Sequence, residues 1–226
     1  MLLLPQTFSN LQTLKPFFVS DFRTFLQLGF QHITDLNGYD HILFVVALCA
    51  IYRLQDWRRV LILVTAFTLG HSVTLALATL RLFSYRTEVV EFLIPVTILA
   101  TAVSNFFYRE VPSEKRAFNQ PAPRLRYGMA LLFGLIHGLG FSNYLRSLLG
   151  RNESIVQPLL AFNIGLELGQ ILIVAVVMML SFLVVERFKV KRHDWNLILS
   201  GAVAGVAILL IKESELVQEW LGKSQS

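Results

Sequence analysis

Histidines and carboxylates inside apolar stretches are the residues of this chain whose types could do chemistry. They are His32, Asp40, His41, His71, His137 and Glu167. A charged side chain at the centre of a membrane helix costs about 2.5–3.5 kcal/mol on insertion scales, so such groups persist where they pair, face water or bind an ion. Nitrogen and oxygen ligands without sulfur suit Zn, Ni, Co, Fe or Mn. These residues therefore predict a site for a divalent transition metal.

His32 and the pair Asp40-His41 flank a turn at Asn37-Gly38. If the chain folds back at Gly38, the three ligand-type side chains converge. A carboxylate beside an imidazole can ligate a metal or fix the histidine tautomer. Alternatively, Asp40 caps its helix and His41 bonds a neighbouring carbonyl. The sequence leaves both interpretations open.

His71 and His137 lie in the middle of apolar stretches. Ser72 follows His71, and Gly134 and Gly138 lie close to His137. Small and hydroxyl residues let membrane helices pack closely, which explains the neighbours but not two imidazoles at this depth. We therefore predict that both histidines are site residues and that Ser72 supports them.

A third polar group surrounds Glu167. Asn163, Glu167 and Gln170 are spaced i, i+4 and i+7, which places them on one helix face. An acidic residue inside a membrane helix is a candidate functional residue, although a buried, protonated Glu bonded to a neighbouring helix is the alternative. Glu91, one turn beyond Glu88, is a further supporting candidate.

The elements that position these residues are apolar blocks. The 226-residue chain is 54% hydrophobic with a mean hydropathy of +0.58, and only 15% of its residues are charged, against about 25% in soluble domains. We predict an all-α, polytopic transmembrane helix bundle with six spans, at residues 39–54, 59–81, 88–108, 127–149, 155–186 and 195–212. Residues 20–34 predict an additional amphipathic or re-entrant helix. A single domain (20–213) would then lie between an N-terminal tail (1–19) and a C-terminal tail (214–226).

The basic residues predict the orientation. More than half of the 20 Lys and Arg lie in three loops, 53–59, 109–126 and 187–194, the last of which also holds His193. Short basic loops are typical of the cytoplasmic side of a membrane, so the net charge of +5 does not indicate nucleic acid. We expect both termini on the outer face of the membrane, which is the periplasmic face if the chain is bacterial.

Other sequence features set further expectations. The start, MLLLPQTFSN, has no basic region or small-residue cleavage site, so we expect no cleavable signal peptide. Cys49 has no second cysteine with which to form a disulfide within the chain. The expected partners are the lipid bilayer and a metal ion. Small-residue faces such as Gly165 and Gly169 are also compatible with a homo-oligomer or a membrane partner protein.

Five stretches of the chain together resemble the HupE/UreJ family of small membrane proteins. They are GFQHITDLNGYDHILF (29–44), FTLGHSVTLAL (67–77), EFLIPVTI (91–98), FGLIHGLGF (133–141) and FNIGLELGQ (162–170). The resemblance implies an inner-membrane protein of six or seven helices and, for members named after hydrogenase and urease clusters, nickel transport. The family's early His followed by an Asp-His pair corresponds to His32 and Asp40-His41. The spacing here is longer than in the nickel-permease form, so the chain resembles a divergent branch.

Three functions remain open from the sequence. The first is a divalent-metal, nickel-type permease. It would depend on a partner, an ion gradient or passive flow, because no nucleotide-binding motif occurs. The second is an intramembrane metal-dependent hydrolase of the zinc type acting on a lipid-like substrate, with Glu167 or Asp40 as general base. The third is a non-catalytic membrane assembly subunit whose polar residues hold helices together.

Overall fold

Every regular element of the described chain is helical, which confirms the predicted all-α class. The structure is a computed structural model that describes residues 10–108, 122–148 and 155–223. Its α-helices are α1 (Asn10–Thr34), α2 (Asp40–Cys49), α3 (Trp57–Thr79), α4 (Thr87–Phe106), α5 (Ala122–Leu148), α6 (Val156–Phe182), α7 (Arg192–Glu213) and α8 (Glu215–Lys223). A 3₁₀ turn, Leu54–Asp56, precedes α3, and a π turn, Leu183–Arg187, extends α6.

Five helical stretches within these ranges are long and apolar enough to cross a membrane. They are Leu54–Thr79, Thr87–Phe106, Leu125–Leu148, Val156–Arg187 and Arg192–Glu213. The segment predicted at 39–54 contains only the ten-residue helix α2, about 15 Å long and half of a bilayer core of roughly 30 Å. The structure thus confirms a helical membrane bundle, while the count of six spans stays a prediction.

The helix boundaries differ from prediction at the N-terminus. Helix α1 begins at Asn10, whereas the sequence predicted a helix from residue 20 after a tail. The predicted basic loop 109–126 lies mostly outside the described residues, as do the first nine residues of the N-terminal tail. The predicted C-terminal tail contains α8, which presents Trp220 to its surroundings.

Glycines bring α3 and α5 into backbone contact. A Cβ at Gly134 would collide with the carbonyl of Phe67, and one at Gly138 would collide with the carbonyl of His71. Close approach of this kind is how small residues join membrane helices. Because the contact positions advance together along both helices, α3 and α5 run in the same direction.

Glycines join α1 and α6 in the same way. Gly165 lies against the backbone of Leu26 and Phe30, and Gly169 lies against Phe30 and Thr34. These two helices therefore also run in the same direction. The predicted small-residue face at Gly165 and Gly169 is thus used inside the chain, to pack α1.

The turn at Asn37-Gly38 interrupts a helical path rather than reversing it. Helix α6 runs opposite to α3, since Phe162 stacks near His71 and Glu167 bonds Thr65 further back along α3. Helix α2 runs opposite to α5, since its contacts pass from His137 to Phe133 as it proceeds. It follows that α1 and α2 share one direction. Within the break between them, the backbone N–H of Asn37 donates to the Asp35 carboxylate at 2.9 Å.

A buried hydrogen-bond network ties four helices together at one end of the bundle, here called the Arg126 side. Asn105 Nδ2 donates to the Ala47 carbonyl at 2.8 Å, and Arg126 donates to Asn105 Oδ1 at 3.2 Å. Asn196 Nδ2 donates to the Asn105 carbonyl at 2.9 Å, and Ser200 donates to Asn196 Oδ1 at 3.1 Å. These bonds fix α2, α4, α5 and α7 relative to one another.

Candidate metal site

Four histidines from four helices meet in the interior. They are His32 of α1, His41 of α2, His71 of α3 and His137 of α5. The ring centroid of His41 lies 4.7 Å from that of His32, 6.2 Å from that of His71 and 5.3 Å from that of His137. His41 is thus the central ring, and the break between α1 and α2 is what sets it beside His32.

Hydrogen bonds orient two of the rings. His41 Nδ1 lies 3.1 Å from the Asp40 carboxylate, and His137 Nδ1 lies 2.8 Å from the Phe133 carbonyl. Neither oxygen can donate, so each Nδ1 carries the proton and each neutral ring keeps its lone pair on Nε2. Metal-binding histidines almost always donate their other ring N–H to an oxygen in this way. The alternative in which Asp40 caps its helix is wrong, because Tyr39 occupies the N-cap of α2 without a side-chain capping bond and the Asp40 carboxylate contacts His41 instead.

Five of the six other ring nitrogens in the cluster are buried without hydrogen-bond partners. This applies to Nε2 of His32, His41 and His137, and to both nitrogens of His71, whose side chain is fully buried. Buried polar atoms are normally paired, and leaving one unpaired costs about 1–3 kcal/mol. A ring nitrogen kept unpaired in this way is free to bind something else.

Two cavities reach the cluster from the side of the bundle on which Asn37 and Gly38 lie, here called the Gly38 side. The smaller, of about 190 Å³, is bordered by His32, His41 and His137. The larger, of about 740 Å³, is bordered by His32, Asn37 and Tyr144. His32 and Phe141 border both, so the cavities are adjacent and the histidines are approached from this side.

Carboxylates border the smaller cavity from three elements. Asp40 and Glu91 were predicted, the latter as a supporting residue, whereas Asp35 was not. Asp35 precedes Asn37-Gly38 and therefore reads as an ordinary turn residue in the sequence. Among the described residues, neither Lys nor Arg borders either cavity.

Aromatic rings close the other side of the cluster. Phe44 and Phe67 are fully buried with ring centroids 4.8 Å apart, and Phe133 lies 6.1 Å from Phe44. The same rings contact the histidines, at 5.6 Å between Phe44 and His137 and 6.1 Å between Phe67 and His71. This aromatic floor (Phe44, Phe67, Phe133) separates the histidines from the Arg126 side.

Glu167 lies apart from the histidines. Its carboxylate accepts a hydrogen bond of 2.5 Å from Thr65, which precedes His71 on α3 by more than one helical turn. Glu167 borders neither cavity. This contact between two helices corresponds to the structural alternative stated above.

The other supporting candidates lie along α3 and α6. Gln170 is fully buried and bonds Thr68 at 2.7 Å. Ser72 donates to the Thr68 carbonyl at 2.6 Å, and Asn163 keeps a buried Oδ1 without a partner. Of these contacts, the bond between Gln170 and Thr68 joins α6 to α3. Neither cavity is bordered by Ser72, Asn163 or Gln170.

The comparisons with known proteins agree with the motifs. The family model described as HupE / UreJ protein matches residues 10–214. No curated protein and no solved structure matches the chain. The family match covers nearly all of the helical bundle, including all four clustered histidines and the carboxylates at the cavity. The chain is a multi-pass membrane protein that belongs to the HupE/UreJ family.

Proposed function

We propose that the protein is a permease for a divalent transition-metal ion and that the four histidines form its binding site. One observation carries the proposal. Four imidazoles on four helices surround His41, and each presents a buried ring nitrogen without a partner. Neutral imidazole is the commonest metal ligand in proteins. Nitrogen ligands of this kind suit nickel, zinc and cobalt, and nickel is the cargo that the family resemblance favours.

The spacing of the rings supports this interpretation. With metal–nitrogen distances of about 2.0–2.1 Å, two imidazoles on a tetrahedral ion have centroids about 5 Å apart. The contacts around His41 range from 4.7 to 6.2 Å. In the described part of the chain no three His, Cys, Asp or Glu side chains are already placed to hold one ion together. Binding therefore requires ring rotations that bring the nitrogens to a common point.

The two ends of the bundle support a direction of movement. We place the Gly38 side on the outer face, because the predicted basic loops belong to the opposite end. An ion then enters through the cavities and reaches the histidines, and the aromatic floor blocks further passage. Transport would require that floor to open while the outer cavities close, the usual consequence of a single central site with alternating access.

Metal binding and flux together test the proposal. Purified protein would be dialysed against Ni²⁺, Zn²⁺ or Co²⁺ and analysed for metal per chain, and flux would be followed in proteoliposomes. We expect His41→Ala to lose both binding and flux. His193→Ala is the matched control, because the His193 side chain is 64% exposed, lies on α7 outside the four-histidine cluster and bonds the adjacent Asp194. Equal binding and flux in the wild type and His41→Ala would overturn the proposal.

The closed floor favours a second candidate, an intramembrane metal-dependent hydrolase. A cavity that ends at histidines beside Asp40 has the shape of a reaction pocket as well as of an outward-facing vestibule. Metal retention separates the two, since a catalytic ion stays near one per chain through prolonged dialysis and a transported ion exchanges. Retained metal without flux would favour the hydrolase. Absence of both, with thermal stability lost in the histidine variants, would favour the assembly subunit.

A further inference from the structure

We infer that Asp35 and Glu91 form an entrance that draws cations from the Gly38 side and passes them to the histidines. The inference rests on the proposed metal site, and it assigns the two carboxylates a role different from that of the imidazoles. They would set how fast a metal ion arrives, whereas the histidines set how long it stays.

Asp35 occupies the point where both cavities meet. It borders the 190 Å³ cavity and the 740 Å³ cavity, a position it shares with His32 and Phe141. One carboxylate oxygen accepts the Asn37 amide, which anchors the side chain within the break between α1 and α2. An ion moving from the larger cavity toward His41 therefore passes Asp35.

Glu91 faces the same cavity from α4. It lies one turn into that helix and borders the 190 Å³ cavity together with Ile94 and Gly140. Pro95 lies four residues later and has no amide proton, so the Glu91 carbonyl loses its usual helical donor. Glu91 thus brings a carboxylate to the same cavity as Asp35 from a different element, with a backbone oxygen released at the same residue.

At its interior end, this cavity reaches two of the clustered histidines. His137 is 1% exposed and His41 is 5% exposed, both border the cavity, and both have an unpartnered Nε2. Clefts lined by charge of one sign concentrate ions of the opposite sign and accelerate their arrival. Asp35 and Glu91 are exposed and lie before the buried rings, so their effect falls on association.

Stopped-flow binding of Co²⁺ to the full chain in lipid nanodiscs tests the inference. The variant is Asp35→Asn with Glu91→Gln, which removes both charges, keeps the side-chain shapes and retains an oxygen to accept the Asn37 amide. We expect the association rate to fall about 10-fold at low ionic strength and the dissociation rate to stay unchanged. The difference should shrink as salt is raised toward 1 M, because salt screens exposed charges.

A matched control lies one turn away. Glu88 has the same charge on the same helix, pairs with Arg86 at 3.5 Å and borders neither cavity. Glu88→Gln should therefore bind Co²⁺ at the wild-type rate. An equal fall in that variant would assign the effect to general surface charge and overturn the entrance.

The remaining outcomes separate this inference from the proposed function. An unchanged association rate in the double variant, with Co²⁺ still bound, would overturn the entrance alone. A faster dissociation rate with unchanged association would make the carboxylates ligands and would also overturn it. A wild-type chain that binds no Co²⁺ would overturn the metal site, and the entrance with it.

Discussion

Two buried polar clusters lie at different depths of the bundle, and they differ in how completely their atoms are paired. On the Arg126 side, Asn105 bonds α2 and α5 through its side chain and α7 through its carbonyl. On the Gly38 side, the four histidines meet around His41 with ring nitrogens that have no partner. Each cluster draws on four helices, so burial and helix number do not distinguish them.

We infer from the difference in pairing that the Arg126-side cluster has a structural role and the histidine cluster a functional one. Paired polar groups in a membrane interior fasten helices, because an unpaired group there would cost free energy. The unpaired histidine nitrogens carry this free-energy cost in the protein alone. A bound ion can offset it. We therefore predict that the Arg126-side cluster controls stability and that the histidine cluster controls ligand binding.

The largest expected effect is on metal affinity in His41→Ala. His41 contacts the other three histidines, so its removal should weaken metal binding by at least about 100-fold. Losing a residue that only hydrogen-bonds a metal ligand typically weakens binding by about 10–100-fold. Isothermal titration with Ni²⁺ or Zn²⁺ would measure this. Wild-type affinity in His41→Ala would remove the distinction between the two clusters.

The next largest effect is on stability in Asn105→Ala. The change leaves the Ala47 carbonyl and Arg126 without their partner, which should cost roughly 2–3 kcal/mol of unfolding free energy. Metal affinity should stay at the wild-type value. Unfolding in a detergent series and metal titration would be measured on the same preparation. Loss of affinity at unchanged stability would contradict the account.

Gly138→Ala should lower both the stability and the metal affinity, because it disturbs the packing of α3 on α5 that holds His71 in place. The added Cβ collides with the His71 carbonyl and Thr74, and overpacking of this kind costs about 1–3 kcal/mol. Gly128→Ala is the control on the same helix, since a Cβ there meets nothing within 4 Å. Thermal unfolding and metal titration of the pair should differ, and matching values would show that the α3–α5 contact does not position the histidine.

Asp40→Asn should give the smallest change. The carboxylate fixes His41 through Nδ1, and losing its charge should weaken metal binding about 10-fold, as for other residues that hydrogen-bond a metal ligand. The folded state should persist, because Asn can still accept from His41 and no side-chain cap of α2 is lost. A larger fall than in His41→Ala would mean that Asp40 itself binds the ion.

The four histidines could be predicted from the sequence because an imidazole within an apolar stretch is expensive wherever it points. Their convergence could not, since it depends on which face each helix turns inward and on the break between α1 and α2. The sequence suggested a reversal at Gly38, but the structure keeps one direction and still joins His32 to His41. The sequence also placed the start of the first helix at residue 20, whereas α1 begins at Asn10.

Glu167 and Asp35 show the limits of residue type as a signal. By residue type and position in an apolar helix, Glu167 is a candidate ligand, yet it bonds Thr65 on the neighbouring helix. By its place before Asn37-Gly38, Asp35 is an ordinary turn residue, yet it borders both cavities. Only the packing of α1 and α3 against α6 separates these roles, and hydropathy carries no information about that packing.

X-ray absorption spectroscopy of the nickel- or zinc-loaded full chain would show whether the clustered histidines bind the ion, because it identifies and counts the ligands around the metal. The account predicts at least three imidazole nitrogens at about 2.0–2.1 Å, reduced in His41→Ala and unchanged in His193→Ala. A shell of oxygen ligands alone, or an imidazole count that His41→Ala leaves intact, would contradict a metal site built on these histidines.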